Sequence, residues 1–222
     1  MTDLHAVVFD FDGTLMDTEW SIFEMAVTTF AAFGIELRVD AWAAVVGLAD
    51  GTWWPELCRS NGWEVDEAEW WATYKSLDRS FRDRLPIVPG AVELLDALAE
   101  ASIPVAVASS SEAGWIEGHL GRVGLLDRFA SIAGADRTGG VGKPAPDVYL
   151  LACADLGVEP AAAVAIEDSR HGIAAAHADG LPCVVVPSAI TSHTDLSAAD
   201  LSVASLVELG PDRLRDLVKA PR

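Results

Sequence analysis

Four short apolar runs, LHAVVFDFD (4–12), IPVAVASS (103–110), AAVAIED (162–168) and LPCVVVP (181–187), alternate with stretches of helical spacing, and that alternation restricts the chain more than any other feature. The runs are dominated by Val, Ile and Ala without a regular polar face, as in strands covered on both sides. Between them, PGAVELLDALAEAS (89–102) keeps Val92, Leu95 and Leu98 on one face, and DVYLLACADLG (147–157) closes on a capping glycine. Strands joined by helices of this length predict an α/β fold with a parallel sheet between two helical layers.

Residues 16–87 break the alternation. DTEWSIFEMAVTTFAAFG (17–34) and DEAEWWATYKSLDRSFRD (66–83) read as helices, with no strand between them. The expected organisation is therefore a core formed by 1–15 and 88–222, with a helical cap at 16–87 that hinges near residues 15 and 87. Seven of the eight tryptophans fall in the cap: Trp20, Trp42, Trp53, Trp54, Trp63, Trp70 and Trp71. Packing inside a small helical unit explains most of them, because indole supplies much buried area per residue. Trp20 and the Trp53-Trp54 pair that follows Gly47 are the indoles best placed in sequence to wall a cleft.

With 222 residues the chain can bury a sizeable core. A formal charge of −19 excludes nucleic acid and anionic membrane surfaces as partners, since phosphate would be repelled on every approach. No apolar stretch has bilayer length and no basic leader precedes the aspartates, so a cytoplasmic protein acting on a small molecule, as monomer or homodimer, is expected. Cys58, Cys153 and Cys183 lack zinc or disulfide spacing and read as buried thiols.

In an extended strand Asp10 and Asp12 point the same way, and they converge at a carboxyl end, where open α/β sheets bind ligands. Two buried carboxylates are costly without a cation between them. Glu167 and Asp168 close a second strand in AIEDS, and an oxygen-only set of this kind suits Mg²⁺. The competing role for Asp168 or Ser169 is to cap the helix that follows. Ser109 ends the strand PVAVAS, although SSSE also has the form of a capping box. Lys143, one of three lysines, follows a glycine-rich loop in GVGKPAPD. Arg137 and Pro144 exclude a Walker loop, Pro144 and Pro146 exclude a dinucleotide turn at GVGKPA, and neither a zinc-binding histidine pattern nor a G-x-S-x-G elbow occurs.

The order DFDGTL, helical insertion, VAVASSS, GKPAPD and AIEDS resembles the haloacid dehalogenase superfamily of phosphohydrolases, within it the capped phosphoglycolate phosphatase and β-phosphoglucomutase group. The resemblance implies a Rossmann-like core with a cap domain inserted after the first strand. It implies Asp10 as nucleophile, Asp12 as general acid/base and backbone metal ligand, Ser109 and Lys143 as phosphoryl binders, and Asp168 with Glu167 at Mg²⁺. Thr14 and Ser110, beside these motifs, and Trp20 and Gly47 in the cap become candidate substrate contacts. β-Phosphoglucomutases carry a histidine and an arginine where this chain has Ile22 and Asp50, which disfavours a mutase, and dehalogenases lack an acid at the Asp12 position. The expected function is a Mg²⁺-dependent phosphatase of a small phosphorylated metabolite, either a sugar phosphate or a phosphoglycolate-like compound. A phosphomutase and a non-catalytic phosphoryl-binding regulator are the alternatives.

Overall fold

The computed structural model describes residues 3–49 and 51–219. Six strands, β1 (Ala6–Phe9), β2 (Val105–Ala108), β3 (Ser131–Ala133), β4 (Ala163–Glu167), β5 (Cys183–Val185) and β6 (Leu201–Ser202), form one sheet in the order β3-β2-β1-β4-β5-β6. Every pairing is parallel. The four expected runs supply β1, β2, β4 and β5. β3 and β6 are three and two residues long, too short to leave a hydropathy signal of their own.

Side-chain alternation divides the sheet into unequal faces. Val7, Phe9, Val105, Val107, Val164 and Ile166 point to one side, beneath α5 (Ala91–Glu100), α6 (Ala113–Arg122) and α9 (Pro211–Lys219). Ala6, Val8, Ala106, Ala108, Ala163 and Ala165 point to the other. Those small side chains leave room for α7 (Asp147–Leu156) and α8 (Arg170–Ala178) to lie close to the strands, with Tyr149, Ala152 and Ile173 filling the gap. The two-sided burial removes each central strand from water and explains the lack of a polar period.

Between β1 and α5 lie α1 (Glu19–Ala31), α2 (Val39–Ala43), α3 (Trp53–Asn61) and α4 (Glu67–Ser76), then a 3₁₀ turn at Ser80–Arg84. The helical run expected at 66–83 thus breaks after Ser76. Its start is fixed by Asp66, whose carboxylate accepts from the Glu69 backbone N–H at 2.9 Å. The insertion has its own core, in which Phe30 stacks on Trp54 (5.4 Å between centroids) and Trp70 lies fully buried against Trp54 (4.7 Å). Trp54 is therefore packing, not cleft. Ile190 from the sheet domain joins this cluster, so the insertion is seated on the core. All three cysteines are free and buried. No helix among the described residues is long and apolar enough to cross a membrane.

Candidate active site

The end of β1 is carried one residue further by the Asp10 N–H, which donates to the Ile166 carbonyl at 2.8 Å. The chain then turns sharply, the N–H groups of Leu15 and Met16 donating to the Phe11 carbonyl. Gly13 takes φ +86° in this turn, and a β-carbon there would collide with the Asp168 carboxylate. A glycine is needed both for the backbone angle and for bringing the two acidic strand ends together.

Lys143 lies between them. It is 2% exposed, and its ammonium donates to the carboxylates of both Asp10 and Glu167. The Tyr149 hydroxyl also donates to Glu167 Oε1 at 2.7 Å, while Glu167 Oε2 accepts the backbone N–H groups of Asp168 and Ser169 and the Ser169 hydroxyl. Glu167 is thus fully engaged in holding the lysine and the β4–α8 turn. Burial alone would discharge Lys143, but Asp10 and Glu167 outweigh it and hold the ammonium pKa above its usual range. Burial raises the Asp10 carboxyl despite the pull of Lys143, with Glu167 and Asp12 pushing the same way. Asp168 is also raised, by burial first and then by Asp10, Glu19 and Glu167.

Asp10, Glu167 and Asp168 each offer an oxygen within 4.8 Å of the others, all three residues being buried. One ammonium does not neutralise three carboxylates. The all-oxygen donor set and the missing positive charge fit a hard divalent cation, with Asp10 and Asp168 the carboxylates least engaged elsewhere. The Asp12 carboxylate is not part of this cluster. It accepts from the Ser111 hydroxyl at 2.6 Å and from the Trp115 indole N–H at 3.0 Å.

Ser109, at the end of β2, is buried, and its hydroxyl accepts from the Ser111 N–H at 3.1 Å, a local turn bond in place of the capping box. Ser110 links two loops, donating to the Gly47 carbonyl at 2.9 Å and accepting from the Lys143 N–H at 3.0 Å. The segment 44–47 is held to the core by two further bonds. Arg170 Nη2 donates to the Ala44 carbonyl at 2.7 Å, and His171 Nδ1 donates to the Val46 carbonyl at 2.8 Å. Burial is the main cause that holds the His171 pKa below its usual range.

A cavity of about 340 Å³ opens between the acidic strand ends and the insertion. Asp10, Asp12, Ser109, Ser110, Gly47 and Ile22 line it. Lys143, expected to bind the phosphoryl group, is not among its lining residues, nor are Glu167 and Asp168, and the expected substrate contacts Trp20 and Thr14 do not line it either. Trp20 is 45% exposed and donates its indole N–H to Glu24 on its own helix, so it is a surface residue of α1. Thr14 is buried in the turn after Asp12, with its hydroxyl unpartnered, and does not line the cavity. Asp50 lies outside the described residues.

Among the lining residues that were not anticipated are Glu19, Arg82, Ser111 and Trp115. Burial pushes the Glu19 carboxyl up to about 8, with Asp12 and Asp10 adding to the rise. The Arg82 guanidinium sits over the Trp115 ring at 5.1 Å. Glu19 directly follows the DFDGTLMDT stretch and could have been flagged there. Nothing in the sequence around Arg82 says that the turn after α4 returns to the site.

A six-stranded parallel sheet with a helical insertion after its first strand, and a lysine-bridged pair of acidic strand ends beneath it, defines a class of α/β hydrolases. The family model for haloacid dehalogenase-like hydrolases matches residues 7–186, and the chain belongs to that family. It is an enzyme of phosphatase type. YhcW of Bacillus subtilis is 33% identical over 207 residues, covering 93% of this chain and 94% of its own. Hexitol phosphatase B of Escherichia coli K12 is 30% identical over 212 residues, covering 92% and 93%. The crystal structure of CbbY from Rhodobacter sphaeroides in complex with xylulose-1,5-bisphosphate superposes with a TM-score of 0.76 at 28% identity, covering 93% of this chain and 96% of that one.

Proposed function

We propose that the protein is a Mg²⁺-dependent phosphatase that hydrolyses a small phosphomonoester through an aspartyl-phosphate at Asp10. The observation that carries this reading is the separation of two aspartate roles. Asp10 is paired with Lys143, whereas Asp12, two residues on, is held apart by Ser111 and Trp115. A Asp10 oxygen attacks phosphorus in line as the bond to the leaving oxygen breaks, and Asp12 supplies that oxygen with its proton. Asp12 then takes a proton from the water that attacks the aspartyl-phosphate, which returns Asp10 and releases inorganic phosphate. Lys143 and Ser109 hold the phosphoryl oxygens, and the ammonium offsets the repulsion between two anions. Asp10 and Asp168, with Glu167 beside them and the Asp12 backbone as the resemblance implies, would hold Mg²⁺, which supplies Lewis-acid stabilisation of the phosphoryl charge.

The sugar chemistry in the names of hexitol phosphatase B and the CbbY complex supports sugar phosphates as the first substrates to try, with phosphoglycolate beside them. Ile22 on the cavity wall supports hydrolysis over mutase chemistry, since it cannot exchange a proton or bind a second phosphate. The working organisation is a cap at 16–87 on a core of 1–15 and 88–222, in a cytoplasmic monomer or homodimer. The test is phosphate release from a panel of phosphomonoesters with Mg²⁺ and with EDTA. Turnover that EDTA abolishes is expected. Full activity in EDTA would overturn the reading, interconversion of β-glucose 1-phosphate without phosphate release would replace it with a mutase, and absence of turnover on every substrate would leave a phosphoryl-binding regulator.

A further inference from the structure

At the phosphoryl end of the cavity the Ser109 hydroxyl keeps its own proton to donate, while most of the neighbouring polar groups are engaged with one another. Both Asp12 oxygens accept hydrogen bonds, and the Ser110 and Ser111 hydroxyls are donated to Gly47 and Asp12. Glu19 lies with Asp10 and Asp12, and Glu112 is exposed. The remaining wall is mostly apolar and aromatic, including Trp42, Trp53, Trp70, Trp71, Tyr74 and Trp115, and the indole N–H groups of Trp42 and Trp70 are its buried donors without a partner among the described residues. A hexose or hexitol brings several hydroxyls, and each one buried without a partner loses its water for nothing.

Arg82 is the exception on this wall. It is the one cationic side chain lining the cavity among the described residues. Its guanidinium is seated over Trp115, its Nε is buried without a hydrogen-bond partner among the described residues, and no ion pair with a described carboxylate engages it. In a chain with 34 acidic and 15 basic residues, a cation kept from every described carboxylate is available to a ligand. Its fork of N–H donors suits an oxygen acceptor.

We infer that this cavity selects a phosphomonoester whose alcohol is a flat, largely apolar body carrying one oxygen acceptor, stacked among the cap indoles and held by Arg82. The inference rests on the phosphatase reading for its reaction and narrows the substrate of the same site. Flat rings are bound by indole faces at little conformational cost, and a site with few free polar groups rejects polyols through the bonds it cannot return.

The test compares kcat/KM for benzyl phosphate, the same ester bearing a ring carboxylate, glucose 6-phosphate and glycerol phosphate. All four release ordinary alkoxides, so differences report the pocket. Benzyl phosphate is expected to exceed both polyol esters by about tenfold or more, and the carboxylate to add a further gain of about tenfold. In Arg82→Met the ratio between the two benzyl esters should fall towards one, and Arg82→Lys should restore part of it. Polyol esters equal to or better than benzyl phosphate would overturn the inference. So would an Arg82→Met variant that slows both benzyl esters by the same factor, which marks a structural role. If the wild type hydrolyses nothing, the catalytic reading fails, and affinities of the Asp10→Asn protein, read by tryptophan quenching, decide the pocket alone. Tighter benzyl phosphate than glucose 6-phosphate would sustain the inference, and equal or weaker affinity would overturn it.

Discussion

At the scale of single residues, Lys143 is the group on which the site depends most, because it is the buried cation that Asp10 and Glu167 share. Lys143→Met should abolish turnover and cost about 3–5 kcal/mol of stability by leaving two carboxylates unpaired, a loss that thermal or urea unfolding would measure. A variant as stable as the wild type would contradict this electrostatic role. Glu19 gives a pH signature. Its folded-state pKa of about 8 lies above its ordinary 4.5, so the folded protein keeps a proton that the unfolded chain gives up. Its contribution is full below about pH 4.5 and drains away as the pH rises towards 8. In metal-free protein, Glu19→Gln should therefore gain Tm relative to wild type between pH 5 and 8, and parallel Tm–pH curves would refute the assignment. The candidate acids Asp10, Asp12, Glu167 and Asp168 were legible because each closes an apolar run and sits in a recognisable motif. Arg82 and Trp115 were not, because a stacked guanidinium 33 residues away in sequence is a product of tertiary folding.

Among elements, the sheet was legible where strands are long and central, and illegible at its edges. β4 spans five buried residues, whereas β6 is Leu201–Ser202 alone, and its place is set by pairing with β5 rather than by its own pattern. The insertion was legible as helices, but which indoles face the cavity was not. Trp20 and Trp54 each lie beside a functional stretch, yet helix phase turns the first to solvent and the second into the cap core. The segment 44–47 shows the same limit, since its contacts with Ser110, Arg170 and His171 join distant parts of the chain. Gly47 has φ +84°, and a β-carbon there would lie 2.5 Å from Ser169 Oγ. Gly47→Ala should therefore weaken docking of this segment and lower kcat/KM by about tenfold or more, a clash and backbone strain being felt where the insertion meets the sheet at the site. Steady-state kinetics would read the loss, with circular dichroism expected to remain unchanged. A fully active variant would show that the docked geometry is dispensable.

For the molecule as a whole, the seven indoles of the insertion and the one on the core would make any closure on ligand binding observable. Binding of Mg²⁺ with beryllofluoride should shift or quench tryptophan emission, because Trp42, Trp53, Trp71 and Trp115 line the cavity that the ligands enter. An emission spectrum that stays the same at saturation would count against movement of the cap. The charge of −19 makes any positive centre local by necessity, so under the proposed mechanism an anionic substrate would be admitted to Lys143 and a metal at the acidic cluster rather than drawn in by the surface. In the proposed mechanism Asp10 is the group that accepts the phosphoryl. The measurement that tests it most directly is acid quenching of a single turnover within milliseconds, followed by mass spectrometry of the peptide carrying residues 7–16. The account predicts one phosphoryl group on Asp10, formed with Mg²⁺ and absent in Asp10→Asn. Phosphate release at full rate with no phosphorylated peptide at any time, or with the phosphoryl group on another residue, would contradict it.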